Sequence, residues 1–175
     1  GQMFADGAFY VECDTNLPCG ESLVRQVMWG TEWFQRELGI KSRVAWQPDT
    51  FGFSGQLPQI LRKSGVHHLV PQKIFWSYND AEKFPYHYFA WQGLDGSAID
   101  TFLPTSYTYR TDPGEVVTTW KKRSQRGDLS AFLFPFGYGD GGGGPARDHL
   151  EFLRREKDLE GMPKVTVADP KAFFA

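Results

Sequence analysis

A chain of 175 residues can build one hydrophobic core of ordinary size. Its formal net charge of −2 excludes the basic footprint of a nucleic-acid binder, and no apolar run approaches the ~20 residues of a membrane span. The two cysteines, Cys13 and Cys19, fit no zinc-ribbon or disulfide framework, and nothing reads as a signal peptide, so a reducing, cytoplasmic setting is expected.

Phe9 to Glu12 alternates like a strand, and Gly20-Glu21-Ser22 leads into a helix that Gly39 stops. Leu23, Val27, Phe34 and Leu38 share one face of that helix. Arg43 to Trp46 reads as the next strand, 57–63 as a short helix with Pro58 near its start, and Val66 to Pro71 as a third strand. Tyr86 to Trp91 and Ala98 to Leu103, joined through Asp95-Gly96, read as a β-hairpin. Asp112-Pro113-Gly114-Glu115 opens a helix reaching about Ser124. Leu129 to Pro135 reads as an apolar strand, a glycine-rich loop follows, and Pro145 opens a helix ending near Gly161. Lys164 to Val167 is a last strand before Asp169-Pro170. Repeated strand–loop–helix units favour a parallel α/β sheet or barrel, with the hairpin as an insertion and one domain over residues 1–175.

On this plan Asp14, Asp49, Lys73 and Asp140 each follow a predicted strand. In parallel α/β architectures such loops open on one face, where active sites are built. Independent helix caps and surface charges give a similar pattern. Asp49 sits in Trp46-Gln47-Pro48-Asp49-Thr50-Phe51-Gly52-Phe53-Ser54, between a rigid proline and an aromatic-glycine turn. Asp140 sits in Phe136-Gly137-Tyr138-Gly139-Asp140-Gly141-Gly142-Gly143-Gly144-Pro145, where glycines let a ligand approach the backbone. Two carboxylates across a cleft are the minimum apparatus for cleaving a glycosidic bond, and Asp49 with Asp140 is the best such pair. The glycine run lacks the Gly-Lys-Ser/Thr ending of a phosphate loop. His67 and His68 are adjacent, so on a strand they point to opposite faces. His87 and His149 read as structural or solvated. The aromatic content of 16%, with six Trp, serves mainly the core, although sugar clefts also use flat apolar faces.

The blocks Tyr10-Val11-Glu12-Cys13-Asp14-Thr15-Asn16-Leu17-Pro18, Gly20-Glu21-Ser22-Leu23-Val24-Arg25-Gln26, Trp46 to Gly52, Leu57-Pro58-Gln59-Ile60-Leu61, Gln72-Lys73, Trp91 to Ser97 and Phe136 to Pro145 together span nearly the whole chain. In order and spacing they resemble the α-mannosidases of glycoside hydrolase family 38, in the branch that includes cytosolic and vacuolar enzymes. The resemblance implies a (β/α)7-type barrel, here partial, and a retaining, metal-dependent exo-α-mannosidase acting on mannose-containing oligosaccharides. It assigns Asp49 as nucleophile and as ligand of a divalent metal, usually zinc. Asp140 becomes the general acid/base, with an ambiguity of one residue. Asp14, Lys73 and Tyr138 become substrate contacts, and Trp91 a support of the hairpin. Retention calls for carboxyl groups about 5–5.5 Å apart.

The family's other metal ligands, a His-x-Asp pair upstream and a His downstream, have no counterpart in this sequence. The chain is therefore expected to be a middle-to-late part of a longer catalytic domain, inactive and a poor zinc binder alone, and prone to self-association. A homo-oligomer is expected for the full-length enzyme. The rival expectations are a non-catalytic carbohydrate-binding domain and a metal-dependent polysaccharide deacetylase.

Overall fold

The computed structural model describes residues 4–77, 84–140 and 142–175, which leaves Gly141 of the glycine-rich loop outside the described residues. Two compact units emerge, Gly1–Leu103 with Phe174–Ala175, and Pro104–Phe173.

In the first unit Gly20–Leu38 form helix α1. Leu23 and Val27 lie at helical spacing on one face and are fully buried. Gly39 adopts a left-handed conformation (φ 67°) and returns its amide to Gln35, which ends the helix where expected. The buried row continues at Gly30 and not at Leu38, which is 46% exposed. A Cβ at Gly30 would lie 2.2 Å from the Ala8 carbonyl oxygen, so only glycine lets residues 8–10 run against the helix.

Four strands follow the helix: β1 (Val44–Gln47), β2 (His68–Pro71), β3 (Tyr88–Gln92) and β4 (Ala98–Phe102). Their order is β1-β2-β4-β3, with β1 and β4 each parallel to β2 and β3 antiparallel to β4. Helix α2 (Leu57–Lys63) links β1 to β2, and the short α3 (Ile74–Ser77) follows β2. Leu23, Val27, Leu57, Leu61, Leu69 and Ile99 meet in the core between sheet and helices. Trp91 packs on that core and stands edge-on to Phe53, in keeping with a hairpin support. The α/β class is as expected, but the four strands do not by themselves make a closed barrel.

The second unit holds α4 (Pro113–Lys122), α5 (Arg147–Glu156) and the start of α6 (Pro170–Phe174). The Asp112 carboxylate accepts the Glu115 amide at 3.1 Å and caps α4. Tyr109 stacks on Phe134 at 4.1 Å and makes one parallel bridge to Phe136.

Three expected strands are absent. After a single parallel bridge from Gly7 to Ala45, Ala8 turns the chain with φ 62°. The amides of Tyr10 and Val11 then go to the Gln26 carbonyl and side chain of α1, so residues 9–12 join no ladder. In Leu129 to Pro135 the Leu129 amide turns back to the Gln125 carbonyl and the Pro135 carbonyl accepts the Tyr109 amide, and in Lys164 to Val167 the Val165 amide bonds the Lys157 carbonyl, so neither stretch lies in a ladder. Apolar composition without a neighbouring strand leaves these stretches irregular.

Candidate active site

The carboxyl ends of β1 and β2 lie side by side because the strands are parallel and in register, Gln47 beside Pro71. Pro48-Asp49 therefore leaves β1 next to where Gln72-Lys73 leaves β2. Lys73 Nζ sits 2.9 Å from Asp49 Oδ1. The lysine is only 3% exposed, whereas the aspartate side chain keeps 51% of its surface open. A buried ammonium is costly unless an anion and polarisable groups surround it. Here the Trp76 ring centroid lies 3.5 Å from Nζ and the Phe51 centroid 5.0 Å away, both within cation–π range. The two rings meet edge to face at 6.0 Å, and each is about 60% exposed. An accessible carboxylate, a buried cation and two open aromatic faces thus share one corner of the sheet.

The segment following the Gly7–Ala45 bridge reaches the same corner. Glu12 Oε1 accepts the Asp49 amide at 2.5 Å. Glu12 keeps an exposed flank, but burial of its carboxyl raises its pKa, the Asp49 amide works against the rise, and the Asp49 charge adds to it. The Thr50 hydroxyl donates to the Cys13 carbonyl at 3.3 Å, and the Thr15 hydroxyl to the Gly52 carbonyl at 3.0 Å. Gly52 has φ 99°, and a Cβ there would lie 2.2 Å from Asn16 Nδ2, so glycine is required at the turn. Asp14, an expected substrate contact, accepts the amides of Asn16 (2.6 Å) and Leu17 (3.0 Å) through Oδ1. Those bonds hold its carboxyl below the usual range and spend one of its oxygens on its own turn.

Asp140 belongs to the second unit. It is exposed and takes a left-handed backbone (φ 48°) inside the glycine-rich loop. The loop is closed by reciprocal backbone bonds between Tyr138 and Gly144, 2.8 and 2.6 Å long. Glycine is demanded at Gly137, where φ is 121° and a Cβ would lie 2.8 Å from Gly144. Tyr138 is 54% exposed, and its ring stands edge-on to His149 at 4.8 Å. Of the two readings of His149, structural or solvated, its burial favours the structural one. His149 is 3% exposed in the first turn of α5, and its Nδ1 accepts the Ala146 amide at 3.1 Å.

A zinc-type site needs three or four donors converging on one point. Among the described residues no three His, Cys, Asp or Glu side chains come together in that way. Asp49 Oδ1 faces the Lys73 ammonium, which competes for the same oxygen. The described residues therefore do not fit a metal by themselves.

Glu12 and Trp76 belong to the Asp49 cluster although neither was expected there. Glu12 belongs to the stretch Tyr10 to Pro18, but its contact with Asp49 spans 37 positions. Trp76 carried no local signal, since a single aromatic after a strand is ordinary core composition.

A model of the glycosyl hydrolases family 38 N-terminal domain matches residues 1–175. Alpha-mannosidase 2C1 of Homo sapiens is 40% identical over 177 residues, covering 100% of this chain and 17% of the human protein. Alpha-mannosidase G of Dictyostelium discoideum is 39% identical over 176 residues, covering 99% of this chain and 16% of its own length. The chain thus spans about a sixth of these curated relatives. Among solved structures, an alpha-mannosidase from Enterococcus faecalis V583 superimposes with a TM-score of 0.70 at 20% identity, over 96% of this chain and 20% of that one. At that identity the likeness concerns the fold.

Proposed function

The chain belongs to glycosyl hydrolase family 38, and from that premise we propose that it is part of the catalytic domain of a retaining α-mannosidase built on a (β/α)7-type barrel. Asp49 serves as nucleophile and Asp140 as general acid/base. The observation that carries this reading is the fixation of Asp49. Its carboxylate is half open at the carboxyl end of a parallel strand, ion-paired to buried Lys73, with its backbone amide bound to Glu12. A nucleophile needs that combination of exposure and rigid aim.

In the proposed reaction a carboxylate oxygen of Asp49 attacks the anomeric carbon of a terminal α-mannosyl unit. The bond to the leaving oxygen breaks, and that oxygen takes the Asp140 proton. The ionised Asp140 then removes a proton from water, whose oxygen displaces Asp49 and releases mannose with its configuration retained. Lys73 keeps Asp49 anionic before attack and steadies it again as the ester breaks. Asp14 and Tyr138 are proposed as substrate contacts, Asp14 through its second carboxylate oxygen. A divalent metal, zinc by resemblance, would take Asp49 as one ligand and needs donors beyond the described residues. The substrate class is mannose-containing oligosaccharide, the location cytoplasmic and the complete enzyme a homo-oligomer. Among the described residues no helix is long and apolar enough to cross a membrane.

The direct test is covalent trapping in the complete enzyme with 2-deoxy-2-fluoromannosyl fluoride. A mannosyl label on the peptide carrying Asp49, absent from Asp49→Asn, is expected. Turnover of an aryl α-mannoside that survives Asp49→Asn, or a label on another carboxylate, overturns the assignment. Mannose affinity that persists with no turnover in the unaltered enzyme identifies a carbohydrate-binding domain instead.

A further inference from the structure

Residues 72–76 turn tightly after β2, with the Phe75 amide on the Gln72 carbonyl (3.1 Å) and the Trp76 amide on the Lys73 carbonyl (3.0 Å). Three positions apart in such a turn, Lys73 and Trp76 share a face, and the indole folds back over the ammonium. Phe75 turns instead to His87, its half-buried ring 5.7 Å from that buried imidazole. Phe75 thus fills the interior at this turn, while Trp76 stays 61% exposed. We propose that the open face of Trp76 is a stacking platform for the mannosyl unit that reacts at Asp49. The proposal rests on the glycosidase reading and gives it a substrate contact besides Asp14, Lys73 and Tyr138.

Lys73 Nζ lies over one face of the indole, 3.5 Å from its centroid, and the lysine itself is buried. Water that reaches Trp76 therefore meets the opposite face and the rim. Shielding an ammonium asks only for apolar bulk on one side. Leaving a large flat ring open to water on the other costs free energy in proportion to its apolar area, and a ligand that covers the ring removes that penalty. Phe51 stands edge to face with Trp76 and is also exposed, so it adds an apolar wall nearly at right angles. The ammonium beneath holds the indole in place, and a ring already fixed loses little freedom when a sugar stacks on it.

The neighbouring groups select the kind of ring. Asp49 is half exposed, and its Oδ1 lies 2.9 Å from the same ammonium, so Lys73 is a common neighbour of carboxylate and indole. A purely apolar ring would cover the indole yet strip water from the carboxylate without replacing it. A pyranose carries hydroxyls at its rim and C–H groups on its faces, and can meet an acid and an aromatic face together. In a double displacement the nucleophile attacks from the side opposite the leaving oxygen. The platform lies on the side of the nucleophile, which assigns it to the reacting unit and not to the leaving one.

Two variants of the complete enzyme, assayed on an aryl α-mannoside, test the platform. Trp76→Leu keeps apolar cover over Lys73 but has no flat face, whereas Trp76→Tyr keeps a flat face. KM is expected to rise about tenfold in Trp76→Leu and to stay within about threefold of the parent in Trp76→Tyr, with kcat little changed, the pattern of lost uniform binding. A residue that only shielded Lys73 would act through the aim of Asp49. A fall in kcat at constant KM therefore overturns the platform, as does an unchanged KM in Trp76→Leu or an equal loss in both variants. A second measurement needs no turnover. In the complete enzyme labelled with 5-fluorotryptophan, the fluorine signal missing from Trp76→Tyr identifies Trp76, and it should shift saturably as mannose is added. A signal that mannose leaves unmoved overturns the platform. Turnover that survives Asp49→Asn while mannose still moves the Trp76 signal overturns the nucleophile assignment alone and upholds the sugar contact.

Discussion

Asp49 is held by side chains from distant parts of the sequence, whereas Asp140 rides on a loop held by its own backbone. Around Asp49, Lys73 grips the carboxylate, Glu12 the amide, and Thr15 the Gly52 carbonyl of the following turn. Around Asp140, closure comes from the Tyr138–Gly144 bridge and from left-handed residues that include Gly142 and Gly144. The difference matches the proposed division of labour. A nucleophile loses rate steeply with small misplacement. An acid/base that serves two steps has to reach the leaving oxygen first and water afterwards, and a glycine-rich loop leaves that freedom.

If the comparison is right, the Asp49 corner breaks from a distance. Gly30→Ala should have the largest effect, about 4 kcal/mol of destabilisation, because the new methyl meets main-chain atoms of residues 8–10 that cannot swing aside. The displaced segment is the one that carries Glu12. Denaturant unfolding measures the loss, and a variant within 1 kcal/mol of the parent, by the usual size of surface effects, would show that the contact with α1 does not hold the segment.

Asp49→Ala should come next, at about 2–3 kcal/mol, since it removes the carboxylate 2.9 Å from the buried Lys73 ammonium. Adding Lys73→Met should recover most of that loss, because an apolar stem fits between Phe51 and Trp76 without a charge to satisfy. A double-mutant cycle reads the coupling. Additive effects would mean that the pair is not what keeps the corner together.

This contrast also explains what the sequence revealed. Asp49, Pro48 and the Phe51-Gly52 turn are neighbours in the chain, and so are the Asp112 cap with Glu115 and the Gly39 stop of α1. Local chemistry of that kind is readable without a structure. Glu12 and Trp76 acquire their parts only when β1 and β2 align, a matter of contacts many positions apart. Residues 9–12, 129–135 and 164–167 have strand-like composition yet find no ladder, because a strand is defined by a partner the local sequence does not name. His149 shows the limit from the other side. Helical periodicity located it on α5, but its burial depends on the glycine-rich loop and on Thr111, and neither was legible as a contact.

The Asp140 loop should break from within. Gly137→Ala is expected to cost about 2 kcal/mol, from a methyl 2.8 Å from Gly144 and a φ of 121° that alanine resists. Hydrogen exchange should quicken at the Tyr138 and Gly144 amides and stay unchanged at residues 47–52. Faster exchange in both places would erase the distinction between the two loops.

The smallest effect expected separates the regions by acid and salt. Glu151, on the helix that follows the Asp140 loop, is held at a pKa of about 2, against an ordinary 4.5, first by hydrogen bonds from Arg154 and Arg155. A carboxylate whose folded pKa is depressed stabilises the fold above its unfolded pKa, and the contribution fades as pH falls from about 4.5 through 2. All three side chains are substantially exposed, so high salt should screen the pairs and move the Glu151 midpoint back toward 4.5. The Asp49–Lys73 contact, with its cation buried, should hardly respond to the same salt. Carboxyl carbon titrations at low and high ionic strength check both statements in one sample. A salt-sensitive Asp49 beside a salt-insensitive Glu151 would reverse the comparison, because it would place the rigid, water-excluding support around the wrong acid.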